Sequence, residues 1–216
     1  MSSVSNIQFS NPIPSDLAKK LGRNGIVEIL AIMWLGYDDL RADGIVSIRM
    51  KEDEITEAWF IRLCKRWYAE NRASRINLAP VTQHGDDTKA FPKGSPPTID
   101  FCFREWRTSN SYFGAECKNL YHHDSKHIQR YVDTGVKHYI SGRYGSGSTT
   151  STMIGYVLSG KAVEIADELR DTIGVIKPLL NLSRDITSKD AQYKSQHLRI
   201  PDKEIIMLYH LLFDFT

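Results

Sequence analysis

Two apolar, β-prone runs, Thr98–Trp106 and Tyr112–Leu120, flank the polar stretch Arg107-Thr108-Ser109-Asn110-Ser111, and this arrangement constrains the fold more than any other part of the chain. Runs of this composition joined by a short polar connection predict a β-hairpin. In a strand, residues two apart point to one face, so Glu116 and Lys118 project together while Ala115 and Cys117 turn towards the opposite, buried face. The hairpin brings Asp100, early in the first run, beside that pair. A slip of one residue in register would turn Asp100 to the other face.

Helical patterns surround the hairpin. Residues 15–40 predict helix, with Ser15 and Asp16 capping a first turn and Gly22 and Gly25 dividing it from a second. Ile26, Ile29, Leu30, Met33 and Trp34 then share a face. Ile45–Met50 reads as a short extended piece. From Asp53 to Asn71, Ile55, Trp59, Leu63 and Trp67 recur every four residues, with Asp53 and Glu54 at the positive end of the helix. Residues 76–83 read as an edge strand or a loop, because Pro80 cannot donate to a ladder, and 84–97 as a loop. A helix follows over 125–141, then the polar loop Gly145–Thr152, which lacks the Lys-Ser/Thr ending of a phosphate-cradling loop. Met153–Leu158 predicts a strand and Lys161–Ile173 an amphipathic helix. Residues 181–199 read as polar and weakly structured. Pro201 suits the first position of a closing helix, with Ile205, Ile206, Leu208, Tyr209, Leu212 and Phe213 on its apolar face.

These elements predict a mixed α/β (α+β) fold, with a small central mixed β-sheet flanked by helices. The 216 residues suit one domain, with a catalytic core at about 53–158, an N-terminal helical segment at 15–50 and a C-terminal helical segment at 161–216. A net charge of +2 neither demands nor excludes a nucleic-acid partner. Three cysteines, Cys64, Cys102 and Cys117, are too few and too scattered for a disulfide framework and read as buried thiols. No secretory signal is visible, and the apolar stretch Ile26–Leu35 contains Glu28 and is too short to span a bilayer. The expectation is a soluble, cytoplasmic chain with no membrane partner.

Two carboxylates held together repel and lose hydration unless something uses them. A divalent cation resolves this, and Mg²⁺ takes one or two carboxylates while keeping waters. Asp100 and Glu116, with the backbone carbonyl of Cys117, are the candidate metal ligands. Lys118 would position a nucleophilic water or offset charge on a phosphate. These parts suit phosphodiester hydrolysis.

Thr98-Ile99-Asp100, 15 intervening residues and then Glu116-Cys117-Lys118 resembles the signature of the PD-(D/E)XK nuclease superfamily, which has the restriction-endonuclease-like fold. The resemblance covers roughly residues 53–142, and departs in placing proline at Pro97 rather than directly before Asp100. It implies an acid and a Glu-x-Lys on adjacent strands of a central sheet flanked by helices. It also implies supporting residues on the preceding and following helices, for which Glu57 and Gln129 are the candidates. The implied activity is that of a Mg²⁺-dependent endonuclease, with Mn²⁺ as substitute, acting on DNA with RNA left open. Restriction or anti-phage defence is the implied setting, with specificity from loops, a homodimer or a partner protein. The alternative is a catalytically silent, nuclease-like interaction subunit. His122, His123 and Arg143 are candidate nucleic-acid contacts. His123 and His127, four apart, form a weaker candidate zinc pair, and a metal hydrolase centred on His122, His123 and His127 is a third reading.

Overall fold

A computed structural model describes residues 17–69, 78–85, 97–105, 112–145, 147–176, 179–184 and 191–216. Two helices lead, α1 (Leu17–Asp43) and α2 (Glu52–Ala69), followed by the strands β1 (Leu78–Gly85), β2 (Thr98–Glu105) and β3 (Tyr112–Tyr121). A helical crossover comes next, made of α3 (Ser125–Tyr131), a π-helical turn (Val132–Val136) and α4 (Lys137–Ile140). Then come β4 (Thr150–Ser159), α5 (Ala162–Gly174), β5 (Leu179–Arg184), β6 (Gln192–Leu198) and β7 (Ile205–Asp214). The strands form one mixed sheet in the order β1-β2-β3-β4-β7-β6-β5. β1, β2 and β3 run as an antiparallel meander, β4 lies parallel to both β3 and β7, and β6 pairs antiparallel with β7 and with β5. The mixed sheet flanked by helices is therefore as expected. Among the described residues no helix is long and apolar enough to cross a membrane. The expected cap at Ser15 and Asp16, the hairpin connection Arg107–Ser111 and most of the loop at 84–97 lie outside the described residues.

Each sheet face carries its own core. On one side α1 and α2 pack Ile29, Met33, Trp59, Leu63 and Trp67 against Phe101, Phe103, Phe113, Cys117, Tyr156 and Phe213. On the other, the crossover helices and α5 pack Tyr131, Val136, Tyr139, Ile165 and Leu169 against Cys102, Leu120, Met153, Val157 and Leu212. Trp59 fixes the rotation of α2: it is fully buried, meets Phe101 edge-on at 5.0 Å and donates from Nε1 to the Met33 carbonyl at 3.2 Å. Trp59→Ala should cost about 3–5 kcal/mol of stability, read from the midpoint of a urea unfolding curve.

Three expectations fail for identifiable reasons. Ile205–Asp214 is a strand, not the apolar face of a helix, because β7 sits inside the sheet. Leu211 and Phe213 enter one core while Ile206, Leu208 and Leu212 enter the other, so apolar residues fall on both faces and hide the period of two. The stretch 181–199 contains β5 and β6 rather than weak structure. The buried positions of β6 are polar: Gln192 accepts from Trp34 Nε1 at 2.7 Å, and Ser195 bonds both His210 Nε2 and His197 Nε2 at 2.8 Å. Ile45–Met50 belongs to no strand. α1 changes direction at Gly22, where φ is 63° and ψ −176°, and remains helical through Gly25. The loop after Gly145 is held in place, since the Arg199 guanidinium donates to the carbonyls of Gly145 at 2.7 Å and Ser148 at 2.8 Å.

Candidate active site

The antiparallel ladder between β2 and β3 runs from Arg104↔Tyr112 to Phe101↔Ala115 and stops short of Asp100. There the Asp100 side chain takes over, its Oδ2 accepting from the backbone N–H of Cys117 at 2.6 Å. On the other side, β1 pairs Thr82 with Phe101 and His84 with Ile99, stepping past Gln83, whose φ is 47°. Alternation breaks at the same point, with Ile99 in one core and Phe101 and Phe103 in the other. Asp100 therefore stands where the side chains of β2 change face, opposite Gln83 in a β1–β2 register that continues without a shift.

Glu116 and Lys118 share a face of β3, as expected, and are 5% and 4% exposed, a degree of burial that ionic groups rarely reach unpaired. Lys118 Nζ donates to Glu116 Oε1 at 2.8 Å, to Glu52 Oε1 at 3.0 Å and to the Cys117 carbonyl at 2.6 Å. Glu116 Oε2 is buried and makes no hydrogen bond. Burial, reinforced by the Asp100 carboxylate, pushes the Glu116 carboxyl up to about 8 despite Lys118. Burial also raises Asp100, against the pull of Lys118 and the Cys117 N–H. For Lys118 burial alone acts downwards, but Glu116, Glu52 and Asp100 together outweigh it and hold the ammonium above its ordinary range.

The helix acid is Glu52, not Glu57. Glu57 is exposed on the outer side of α2, whereas Glu52 lies on the buried stripe one turn before Thr56. Its Oε2 accepts from the Asn119 backbone N–H at 3.3 Å, and its Oε1 lies 3.7 Å from Arg130 Nη2. The spacing 52, 55, 59, 63 continues the aromatic stripe backwards, so the helix periodicity itself held this signal. Glu52→Gln should lower any activity of the cluster about 10- to 100-fold, as loss of a group that orients a ligand or base does, while Glu57→Gln leaves the rate unchanged.

Gln129 is likewise exposed and bonds Asp133, not the carboxylates. The neighbouring Arg130 faces the cluster instead, through Glu52. The π-helical turn brings Gly135 against β4 beside Glu116: a Cβ there would lie 2.2 Å from Met153 Cε and 3.9 Å from Glu116 Cγ. Tyr144, which the sequence offers with Arg143 as a nucleic-acid contact, and His138, which it does not single out, stand close enough to feel the charges. Tyr144, mostly buried, is pushed up to about 12 by burial and by Glu116, and His138 is lowered by burial, Arg143 and Lys118. Arg143 is exposed and acts on His138 and Tyr144 rather than on the carboxylates. His122 and His123 lie beyond the end of β3, against Glu168. His127 pairs with Asp124, Nδ1 to Oδ2 at 2.8 Å.

Beside Glu52 opens a cavity of about 400 Å³ lined by Arg49, Lys51, Asn119, Tyr121, His127 and Arg130. Three exposed cations, Arg49, Lys51 and Arg130, line it together with the acids Glu52 and Asp53. The chain finds no match among protein-family models, curated proteins or solved structures.

Proposed function

We propose that this chain is a divalent-metal-dependent endonuclease of the PD-(D/E)XK type, hydrolysing phosphodiester bonds in nucleic acid, DNA first. The observation that carries the reading is the buried, unpartnered Glu116 Oε2 within a cluster of three carboxylates. A carboxyl oxygen shut away from water without a hydrogen-bond partner is costly unless a ligand uses it. The residues fit a hard cation. One ammonium nitrogen, Lys118 Nζ, is already gripped by three oxygens, from Glu116, Glu52 and the Cys117 carbonyl, within 3.0 Å. Such an all-oxygen set with Asp100 alongside suits Mg²⁺, with Mn²⁺ as substitute. When bound, the cation supplies Lewis-acid stabilisation of the phosphate.

The chain's own residues do the rest. Lys118, kept protonated by its carboxylate neighbours, offsets charge developing on the phosphate. Arg49, Lys51 and Arg130 hold phosphates on either side and so orient the scissile bond. A silent interaction subunit has no use for an unpaired buried carboxylate oxygen, which favours the enzyme. Restriction or anti-phage defence remains the setting that the resemblance implies.

The test is cleavage of supercoiled plasmid, single-stranded DNA and RNA with Mg²⁺, Mn²⁺ or EDTA. The expected result is nicking or linearisation of DNA with either cation and none in EDTA. Cutting that persists in EDTA, or that survives both Glu116→Ala and Lys118→Ala, would sink the proposal.

A further inference from the structure

We infer that His122, His123 and Glu168 form a second metal site, separate from the carboxylate cluster and suited to a borderline transition ion such as Zn²⁺. One potential ligand atom from each of the three lies within 4.8 Å of the other two. Both Nδ1 atoms face one carboxylate oxygen, with His122 Nδ1 at 2.8 Å and His123 Nδ1 at 3.6 Å from Glu168 Oε1. Glu164 Oε2 stands 3.8 Å from the other ring nitrogen of His122.

The backbone is shaped to bring the rings together. Neighbouring residues in an extended strand point to opposite sides. His123 instead takes a left-handed conformation, φ 59°, which side chains other than glycine adopt at a cost. It places the two imidazole centroids 3.6 Å apart at 31°. Gly160, φ 75°, completes the fit, since a Cβ there would come within 2.4 Å of His122 Cβ. Strain at one residue and a glycine at another, both serving the same ring pair, point to use rather than accident.

Hydrogen bonding accounts for only part of the arrangement: Glu168 Oε1 accepts from the His123 backbone N–H at 3.2 Å. His122 Nδ1 is shut off from solvent and, although 2.8 Å from Glu168 Oε1, makes no hydrogen bond, so its proton or lone pair is not directed at that oxygen. Two protonated imidazoles in such contact would repel, and one oxygen cannot serve both well. Two neutral imidazoles and a carboxylate around a dication satisfy all three, and two histidines with one glutamate is an established zinc set with a fourth position left open. His123 and Glu168 line a solvent-open cavity of about 400 Å³, so an ion and a small fourth ligand can enter. The nitrogen donors separate this site from the all-oxygen cluster, which suits Mg²⁺.

The test uses untagged, metal-stripped full-length protein with excess Mg²⁺ present, titrated with Zn²⁺ by calorimetry and with Co²⁺ by visible absorption. The expected result is one ion per chain with the d–d bands of four-coordinate cobalt, unchanged in the Asp100→Asn, Glu116→Gln double variant. Binding should weaken at least about 100-fold in both His123→Ala and Glu168→Gln. His123 is the safer probe, because its side chain is 81% exposed and its loss leaves the core intact. The inference is overturned if the wild-type chain binds neither ion, if both single variants bind as the wild type does, or if binding disappears with the carboxylate double variant.

Discussion

Lys118→Ala should slow cation-dependent cleavage by about 100- to 10,000-fold, the range seen when a proton-transferring or charge-stabilising group is lost. The loss should fall on kcat rather than KM, because Lys118 Nζ is buried among carboxylates instead of lying in the groove with Arg49 and Arg130. Lys118→Arg should not restore the rate. A planar guanidinium cannot enter the space in which one nitrogen meets three oxygens within 3.0 Å. Glu116→Ala should cost at least as much and should also raise the cation concentration needed. The double variant should be little worse than either single one, as for groups that act as a unit. Single-turnover plasmid cleavage over a range of Mg²⁺ concentrations measures all of these. Losses that simply multiply in the double variant would mean that Glu116 and Lys118 serve different steps.

The second large effect is on stability and has a sign that can be worked out. Glu116 titrates near 8 in the fold and near 4.5 when unfolded, so the folded state binds its proton more tightly. Its contribution is fully present below 4.5 and is lost as pH rises through 8, at up to about 1.4 kcal/mol per pH unit in that window. His210 acts oppositely. Fully buried against Tyr131 and Ser195, it is lowered to about 3, so its contribution is present above 6.5 and falls away below. Without divalent cation the two slopes oppose each other between 4.5 and 6.5, so stability should be level there and decline from 6.5 to about 8. Glu116→Gln should remove that decline and uncover a rise with pH up to 6.5, the contribution of His210. Mg²⁺ should also flatten the decline, by binding the ionised carboxylate of the folded chain alone. Unfolding curves from pH 5 to 9 with Mg²⁺ or EDTA decide the matter. An alkaline slope identical in wild type and Glu116→Gln would show that Glu116 is not its source.

How far the site could be read in advance varied with the physics behind each residue. Glu116 and Lys118 follow from the two-residue period of a strand, and no tertiary detail can part them. Asp100 was exposed to the hairpin register, and the structure places it opposite Gln83, where the side chains of β2 change face. The helix acid is legible only if the aromatic stripe is continued back past Ile55 to Glu52, where α2 begins, five residues before Glu57. The sequence groups His122 and His123 with His127, but Glu168, the residue both of them meet, lies 45 positions further on and gives no local signal. β6 escaped notice because its buried face is held by hydrogen bonds rather than apolar contact.

The place of β7 bears on how the molecule assembles. It is the strand that joins β4, and with it the meander bearing Asp100, Glu116 and Lys118, to the β5–β6 pair. Its partners on β4 lie more than fifty residues earlier, as in Thr150↔Met207 and Val157↔Asp214. Closing loops of that length slows folding. Until Ile205–Asp214 has docked, β4 is an unprotected edge whose Met153, Ile154, Tyr156 and Val157 can pair with another copy of the chain. Aggregation during synthesis or refolding should therefore be governed by when this one strand arrives, whatever the stability of the finished fold.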